Sequence, residues 1–366
     1  MKSIDTSIAP WLKGKSAYLS PHIDRAWEHP DLARMMSNEY PLPPAESVRE
    51  AIEKYGAIGN RYPDAGVVVR SYIAELNGLG GPEYVLLGNG SNEALDMAIR
   101  TFVTPGDEVI QQTPCYFLYA LRTEAAGGQA VSVPVLLKDG EFVNDYDGVL
   151  RAITPRTKIV IFGNPNNPTG HYVGGPRFME VVEAGIPVIV DEAYVEFAGL
   201  GKSQVGLVNK YPNVIITRTL SKAYGLAGVR FGYSLSHPDT MRQMSALLLP
   251  WNVGTIAMWA GLAALQDREA LREHVEYMDH ERDNFVKEWS KIPGMKVYPC
   301  RSNFMLFDAG GTGKTGKEIV AEADKQGMII RAHNEMHGSN GWFRITISGP
   351  EENRRLIKVV KEFLTK

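Results

Sequence analysis

Between about residues 84 and 232 the chain alternates short apolar runs with amphipathic helical patterns, and this alternation constrains the fold more than any other feature. Amphipathic stretches such as Glu93–Phe102 and Arg177–Ala184 separate several of the apolar runs. Strands that are apolar on both faces, with helices between them, predict a largely parallel sheet covered by helices. The predicted strands are Tyr84–Leu87, Glu108–Ile110, Ala130–Val133, Lys158–Phe162, Pro187–Val190, Val214–Thr217 and Gly228–Gly232.

After about Trp251 the pattern changes to a mixed α+β order. The predicted elements there are helices at Ile256–Gln266, Leu271–Ile292, Lys317–Gln326 and Glu351–Leu364, and strands at Phe304–Phe307 and Phe343–Ile347. Such a change of pattern favours a second, smaller domain. We therefore predict an extended, proline-rich and aromatic arm at residues 1–45, a large domain at 46–255 and a small C-terminal domain at 256–366.

Composition narrows the class of partner. The 366 residues carry a formal net charge of −3 and have a pI near 6.3, which gives no basic field for nucleic acid. Cys115 and Cys300 are too few for a disulfide framework, so a reducing compartment is favoured. The N-terminus lacks the apolar core of a signal peptide, and no apolar run approaches the roughly 18–20 residues of a membrane span. We expect a soluble cytoplasmic protein with small-molecule partners, without nucleic acid or membrane.

The first candidate for chemistry is Lys222, in the segment TRTLSKAYGLAGVRFGY at residues 217–233. A strand is predicted to end near Thr219, so the lysine follows it in a loop of small and hydroxylated residues. Lysine forms a Schiff base when its surroundings lower its pKa. Thr219, Ser221 and Arg230 supply hydroxyl donors and a cation suited to a phosphorylated aldehyde cofactor. Taken alone, a loop lysine is more often a solvated surface residue.

The second candidate is Asp191, which ends the apolar run of IPVIVDEAYVEF at residues 186–197. A carboxylate at the end of a buried strand is costly unless it is paired. The nitrogen of a pyridine ring is a suitable partner, because the carboxylate keeps it protonated and the ring can then withdraw electrons. Tyr194 follows three residues on and can hydrogen-bond the phenolic oxygen of such a ring. An aspartate that caps the next helix is the structural alternative.

Two loops complete the pattern. In KIVIFGNPNNPTG, residues 158–170, a strand runs into a turn of Asn, Pro and Gly that is rigid enough to hold Asn167 against a ligand. In YVLLGNGSNEALDMAIRTF, residues 84–102, glycines lead from a strand into a helix near Ser91. Backbone N–H groups at such a helix start bind phosphate, although turns from glycine to helix are common.

In their order along the chain, these segments resemble the class I and II aminotransferases, which are fold-type I pyridoxal 5′-phosphate (PLP) enzymes. The resemblance extends from about Met35 to the C-terminus and rests on NPNNPTG, DEAY and SKAYGLAGVRFGY. The spacing of 31 residues from Asp191 to Lys222 also fits that family. The resemblance implies an α/β fold, with a mostly parallel sheet between helices in the large domain and a smaller α+β C-terminal domain.

The resemblance also implies roles for individual residues. Lys222 carries the PLP Schiff base and moves protons, Asp191 pairs with the ring nitrogen, and Tyr194 completes the catalytic set. Asn167 and Tyr194 hold the ring oxygen, and Tyr116 stacks on the ring. The residues that bind or neighbour the phosphate are Gly90, Ser91, Asn92, Thr219, Ser221 and Arg230. A homodimer is implied, in which Tyr62 of NRYPD reaches the partner's phosphate site.

Within that superfamily the chain resembles the histidinol-phosphate aminotransferase group in particular. SNEYPLPPAESV at residues 37–48 is similar to its N-terminal motif, RYPD to its RYP signature, and WFRITIS to its C-terminal segment. The implied reaction takes the amino group of an amino acid or amino-alcohol phosphate and gives it to a 2-oxo acid. Asn38, Arg331 and Arg344 are the implied substrate residues, and the arginines grip the acidic end of the substrate. A surface arginine at a strand end is the alternative for Arg331.

Departures from the group leave the substrate open. Asn92 replaces the usual aspartate, and NEYPLPP replaces NENPxGP at the border of the substrate pocket. An aromatic or other amino-acid aminotransferase is therefore an alternative, as is a PLP-dependent decarboxylase, lyase or oxidase. A PLP-binding module without activity is disfavoured, because Lys222, Asp191, Asn167 and Tyr194 are all present.

Two other motifs are not expected to bind ligands. DAGGTGKTG at residues 308–316 lacks the first glycine of a nucleotide-binding loop, so a glycine-rich turn is favoured. HNEMH at residues 333–337 precedes a strand and is not an HExxH helix, so no metal site is expected there.

Overall fold

The computed structural model describes residues 7–365. Its α-helices are α1 (Pro21–Glu28), α2 (Glu46–Gly56), α3 (Val67–Leu76), α4 (Ser91–Phe102), α5 (Leu118–Ala125), α6 (Tyr146–Ala152), α7 (Gly175–Glu183), α8 (Val195–Ala198), α9 (Pro238–Met244), α10 (Thr255–Gln266), α11 (Arg268–Trp289), α12 (Gly316–Lys325) and α13 (Pro350–Leu364). Its strands are β1 (Ala33–Arg34), β2 (Val85–Gly88), β3 (Glu108–Thr113), β4 (Gln129–Pro134), β5 (Leu136–Lys138), β6 (Glu141–Val143), β7 (Thr157–Gly163), β8 (Val188–Asp191), β9 (Val214–Thr219), β10 (Gly232–Ser236), β11 (Lys296–Tyr298), β12 (Phe304–Asp308), β13 (Met328–Ile329), β14 (Arg331–Ala332) and β15 (Trp342–Thr346). Across this range, no helix has both the length and the apolar character needed to cross a membrane.

A large seven-stranded sheet has the order β2-β10-β9-β8-β7-β3-β4. β10 runs antiparallel to both of its neighbours, and the other pairs are parallel. Side chains of the inner strands reach a hydrophobic cluster on each face: in β7, Val160 and Phe162 pack into one cluster and Ile159 and Ile161 into the other. Because both faces are buried, the central strands β7 and β8 consist largely of apolar residues. The predicted parallel-rich α/β fold is confirmed.

A small antiparallel sheet, in the order β11-β12-β15-β14, forms in the C-terminal part of the chain. The fully buried Trp289 of α11 packs against it, with its ring centroid 4.6 Å from that of Phe307 and 5.9 Å from that of Phe343. These aromatic contacts join the longest helix to the middle strands of the small sheet. The predicted α+β character of this region is confirmed.

The arm is more structured than predicted. Residues 21–28 form α1, so the expectation of an extended chain is wrong there, and Pro21 stands at the helix start where its missing N–H costs nothing. Further on, β1 pairs in parallel with β13. The ring of Tyr18 stacks on Phe117 next to α5, with centroids 4.4 Å apart, and Arg25 forms an ion pair with Asp324 of α12. The arm therefore contacts α5 of the large-sheet region as well as α12 and β13 in the C-terminal part of the chain.

One predicted strand is wrong. The structure has a turn over residues 227–230, and β10 begins only at Gly232. Arg230 has a φ of +62°, a left-handed conformation that a strand does not allow. A short apolar run bounded by glycines does not distinguish a strand from a packed turn, and this explains the error. Most of the other predicted strands and helices begin within about two residues of the observed ones.

The turn after β7 is held in place by close packing at Gly170. Its φ is +74°, and a Cβ there would lie 2.0 Å from the Cβ of Cys300, which precedes β12 in the small sheet. Inside the turn, Asn166 Nδ2 donates to Thr169 Oγ1 at 2.6 Å, and Thr169 contacts the ring of His171 at 2.8 Å. The turn is therefore rigid and fixed to the C-terminal part of the chain.

Gly170→Ala is expected to destabilise the protein more than Gly185→Ala does. Gly185 has a similar φ of +77° but no atom within 4 Å of a new Cβ. The control therefore carries only the cost of a left-handed backbone, about 1–2 kcal/mol. Overpacking against Cys300 should add about 1–3 kcal/mol in Gly170→Ala. Urea unfolding followed by circular dichroism compares the two, and equal losses would contradict the packing argument.

Candidate active site

A cavity of about 1130 Å³ opens at the carboxyl ends of the parallel strands β3, β7, β8 and β9. Each of these strands brings one predicted residue to the cavity wall: Tyr116 after β3, Asn167 after β7, Asp191 at the end of β8 and Lys222 after β9. Ligands of open α/β sheets bind at this edge, where loops from neighbouring strands meet. The structure therefore brings together residues that are more than 100 positions apart in the sequence.

Lys222 is held at the cavity by backbone carbonyls of the arm. Its Nζ donates to the carbonyl oxygen of Ser37 at 3.0 Å and to that of Asn38 at 3.1 Å. Burial and the nearby Arg344 lower the pKa of Lys222 to about 8. At pH 7 roughly a tenth of the amine is therefore neutral and nucleophilic, far more than for a lysine of ordinary pKa.

Asp191 is a buried carboxylate whose hydrogen-bond donors, among residues 7–365, are neutral. Tyr119 donates from its hydroxyl to Oδ2 at 2.8 Å, and Thr217 donates to Oδ1 at 3.1 Å. Burial raises the pKa of Asp191 to about 6, although these two hydrogen bonds act in the opposite direction. Across residues 7–365 no basic side chain forms an ion pair with it. Its side chain does not cap a helix, so the alternative interpretation of this aspartate is not supported.

A chain of hydrogen bonds orders the side of the cavity next to Asp191. The hydroxyl of Tyr194 accepts from Asn38 Nδ2 at 2.8 Å and from Asn167 Nδ2 at 3.5 Å. Asn167 in turn accepts from Arg344 Nη1 at 2.6 Å. Asn38 Oδ1 accepts from Thr346 at 3.0 Å, so the whole amide of Asn38 is engaged by protein groups. Asn38 lines the cavity and orients Tyr194, and its contact with substrate stays a prediction.

The predicted phosphate residues cluster around the start of α4. Gly90 precedes this helix with a φ of +74°, and no side chain caps the helix, so its first N–H groups are available to an anion. Ser91 and Asn92 line the cavity at this point, and Asn92 accepts a hydrogen bond from Tyr116 at 3.3 Å. A Cβ on Gly232 would lie 2.5 Å from Ser91 N, so glycine is needed for β10 to approach the helix start.

The loop after β9 completes this cluster. Thr219 donates to Ser221 Oγ at 2.9 Å, and Arg230 Nη1 lies 3.4 Å from the same oxygen. All three residues line the cavity beside Lys222. Hydroxyls, a guanidinium and helix N–H groups in one place are the donors that a phosphate group requires.

Two arginines form a second cationic region at the other end of the cavity. Arg331 of β14 lies directly opposite Arg344 of β15 in the small sheet, and both line the cavity. Arg344 is only 4% exposed, and burial lowers its pKa to about 10. In the part of the chain described here, neither arginine forms an ion pair with a carboxylate. Two close cations without counter-charges create a binding site for an anion.

Tyr62 lies away from this cavity. Its side chain is 79% exposed and stacks on Trp251, with ring centroids 4.4 Å apart. Within one chain it therefore cannot serve the phosphate cluster, and its predicted role requires a second copy of the chain.

Sequence reasoning missed Tyr119 and Thr217, which hold Asp191. No local pattern identifies Tyr119, because its hydroxyl bonds to a residue 72 positions away. Tyr18 and His22 of the aromatic arm also line the cavity.

Comparison with known proteins agrees with this geometry. The family model for "Aminotransferase class I and II" matches residues 30–360. The chain is 34% identical to histidinol-phosphate aminotransferase 1 of Idiomarina loihiensis, over 90% of this chain and 89% of that protein.

Solved structures give the same result. Histidinol-phosphate aminotransferase from Sinorhizobium meliloti, in complex with pyridoxal-5′-phosphate, superimposes with a TM-score of 0.87 at 26% identity, over 98% of this chain and 97% of that one. A double mutant of aspartate aminotransferase from Thermus thermophilus superimposes with a TM-score of 0.82, also at 26% identity, over 99% of this chain and 100% of that one.

In the ligand-free protein, the rate at which a neutral amine-reactive ester labels Lys222 should rise with pH and reach a plateau. The midpoint of this rise should lie near pH 8. Burial and Arg344 disfavour the charged amine, so the neutral form appears below the ordinary lysine value of 10.5. Peptide mass spectrometry over roughly pH 6–11 measures the midpoint. The exposed Lys54, labelled in the same samples, corrects for the pH dependence of the reagent. A midpoint near 10.5 would contradict the enclosed site.

Proposed function

Because the chain belongs to the class I and II aminotransferases, we propose that it is a PLP-dependent aminotransferase that takes its amino group from histidinol phosphate and gives it to a 2-oxo acid. The single observation that carries the choice of donor is the unpaired cationic region of Arg331 and Arg344 at one end of the cavity. A donor that carries both a phosphate and an amino group matches a cavity lined by these two cations and by Lys222.

The residues present fit PLP at three points. The buried carboxylate of Asp191 needs a cationic partner, which a protonated pyridine ring provides. The uncapped start of α4, with Ser91, Ser221 and Arg230, suits the cofactor phosphate. The lowered pKa of Lys222 suits an amine that reacts with an aldehyde.

Each residue then has a defined task. When bound, PLP supplies an electron-withdrawing ring connected to the substrate Cα. Asp191 would keep the ring nitrogen protonated, and Asn167 and Tyr194 would hold the ring oxygen. Nζ of Lys222 would be the base that removes the Cα proton, because it is an amine at the cavity whose pKa burial lowers. Tyr116 would cover the ring face.

We also propose that the enzyme is a cytoplasmic homodimer. Exposed apolar side chains lie near Tyr62 in the sequence, at Ile58, Val67 and Val68, and Trp251 stacks on its ring; these side chains are available to a second copy. In such a dimer Tyr62 would reach the phosphate cluster of the partner. Cys115 and Cys300 are free thiols, which agrees with a reducing compartment.

Addition of histidinol phosphate to the PLP-loaded enzyme should convert the absorption band of the lysine-bound cofactor to that of the pyridoxamine form. Glutamate and aromatic amino acids, added separately, test the other donors. Lys222→Ala is the control, because without this amine neither the band nor turnover should appear. If only an aromatic amino acid converts the band, that amino acid replaces histidinol phosphate as the proposed donor. A band that persists with every donor would favour a decarboxylase, lyase or oxidase.

Mixing two inactive variants tests whether Tyr62 acts across a dimer. Lys222→Ala homodimers and Tyr62→Ala homodimers should each have little activity at limiting PLP. After subunit exchange, each mixed dimer has one doubly altered site and one unaltered site. A 1:1 mixture should therefore recover about a quarter of the wild-type activity per subunit. No recovery, with subunit exchange verified by native mass spectrometry, would mean that Tyr62 does not serve the partner's site.

A further inference from the structure

His333 lies beside the two arginines at the cationic end of the cavity. It follows β14 two residues after Arg331, and its backbone N–H donates to the carbonyl of Trp342 at 2.9 Å, so it continues the pairing with β15. Alternate residues of a strand point to the same face. Arg331, its cross-strand neighbour Arg344 and His333 therefore share one face of the small sheet, and all three line the cavity.

This region holds buried nitrogen atoms that no group of residues 7–365 satisfies. Within that range, neither Nε2 of His333 nor Nε of Arg344 has a hydrogen-bond partner. The other nitrogens of Arg344 are engaged, since Nη1 donates to Asn167 at 2.6 Å and Nη2 donates to the backbone carbonyl of Met36. A buried polar atom without a partner costs about 1–3 kcal/mol. The missing partners are therefore expected to come from a ligand.

The charges of this region determine what kind of ligand fits. Burial, with Arg344 and Arg331 nearby, lowers the pKa of His333 to about 3, so the ring is neutral. His22 of the arm lines the same cavity, and burial and Arg331 also lower its pKa. The region thus combines two fixed cations with a neutral ring that can donate one N–H. A carboxylate has two oxygens, which one guanidinium can satisfy, whereas a phosphate monoester has three terminal oxygens and a charge near −2.

We propose that His333 is a specificity-determining residue that donates a hydrogen bond to the phosphate group of the amino donor while Arg331 and Arg344 neutralise its charge. This inference rests on the proposed function, because it concerns the same donor. It assigns to the first residue after β14 a task that charge alone does not perform. An extra N–H at a fixed position separates phosphorylated from unphosphorylated donors.

Two variants of His333 and one control test the assignment. His333→Leu removes the N–H at similar volume, and His333→Gln restores an amide N–H near the position of Nε2. His280→Leu, at an exposed position of α11, controls for the loss of a histidine elsewhere. The measurement is kcat/KM for histidinol phosphate divided by kcat/KM for histidinol, in each PLP-loaded enzyme. We expect His333→Leu to lower this ratio about tenfold, and His333→Gln to restore it to within about threefold of wild type.

An equal loss with both donors in His333→Leu, or an unchanged ratio, would overturn the assignment. Binding of inorganic phosphate to the PLP-loaded enzymes, measured by calorimetry, tests the same contact without turnover. His333→Leu should bind phosphate about tenfold more weakly than wild type and His280→Leu equally well. If wild type transfers no amino group from histidinol phosphate, the proposed donor fails, and phosphate binding still decides the role of His333. Equal phosphate affinity in wild type and His333→Leu, or no binding to wild type, would refute it.

Discussion

The site depends on a carboxylate that the fold buries without a cation. Asp191 ends β8, which lies between β7 and β9 in the large sheet, and its side chain lines the cavity. Each of its carboxylate oxygens accepts a hydrogen bond from a neutral hydroxyl group. A buried charge of this kind is costly until a ligand supplies the opposite charge. The end of β8 therefore presents a buried carboxylate that a cationic group of a ligand would stabilise, as in the proposed pairing with the cofactor ring. Tyr194, Asn167 and Lys222 are useful because strand ends and turns hold them around that position.

The cavity has two anion-binding regions of different construction. At the start of α4 the donors are largely backbone N–H groups, supported by glycines that allow β10 to approach within contact distance. At the other end the donors are side chains of the small sheet, Arg331, His333 and Arg344. Backbone donors are fixed by the fold and change little with sequence, whereas side-chain donors change with single substitutions. The construction of the first region fits the proposed cofactor phosphate, and that of the second fits the proposed substrate phosphate.

Sequence was sufficient where local pattern determines structure, and insufficient where distant segments meet. The apolar runs predict β7 and β8 to within about one residue, and the motifs around Asp191 and Lys222 predict residues that do line one cavity. The hydrogen bond from Tyr119 to Asp191 joins positions 72 residues apart, and no periodic pattern in the sequence predicts it. The helix within the arm and the turn at Arg230 were missed for the same reason, because packing against other segments selects both conformations.

The pairing of β1 with β13 also has a consequence for the order in which the chain becomes functional. Ala33 pairs with Met328, so nearly the whole polypeptide must be synthesised before the arm can bind in this register. Contacts that close such long loops form late, because chain entropy opposes them until the intervening segments have folded. Ser37 and Asn38, which hold the amine of Lys222, come directly after this strand. A nascent or newly released chain would therefore complete its large sheet first. The carbonyl groups that hold the amine of Lys222 would reach their positions last.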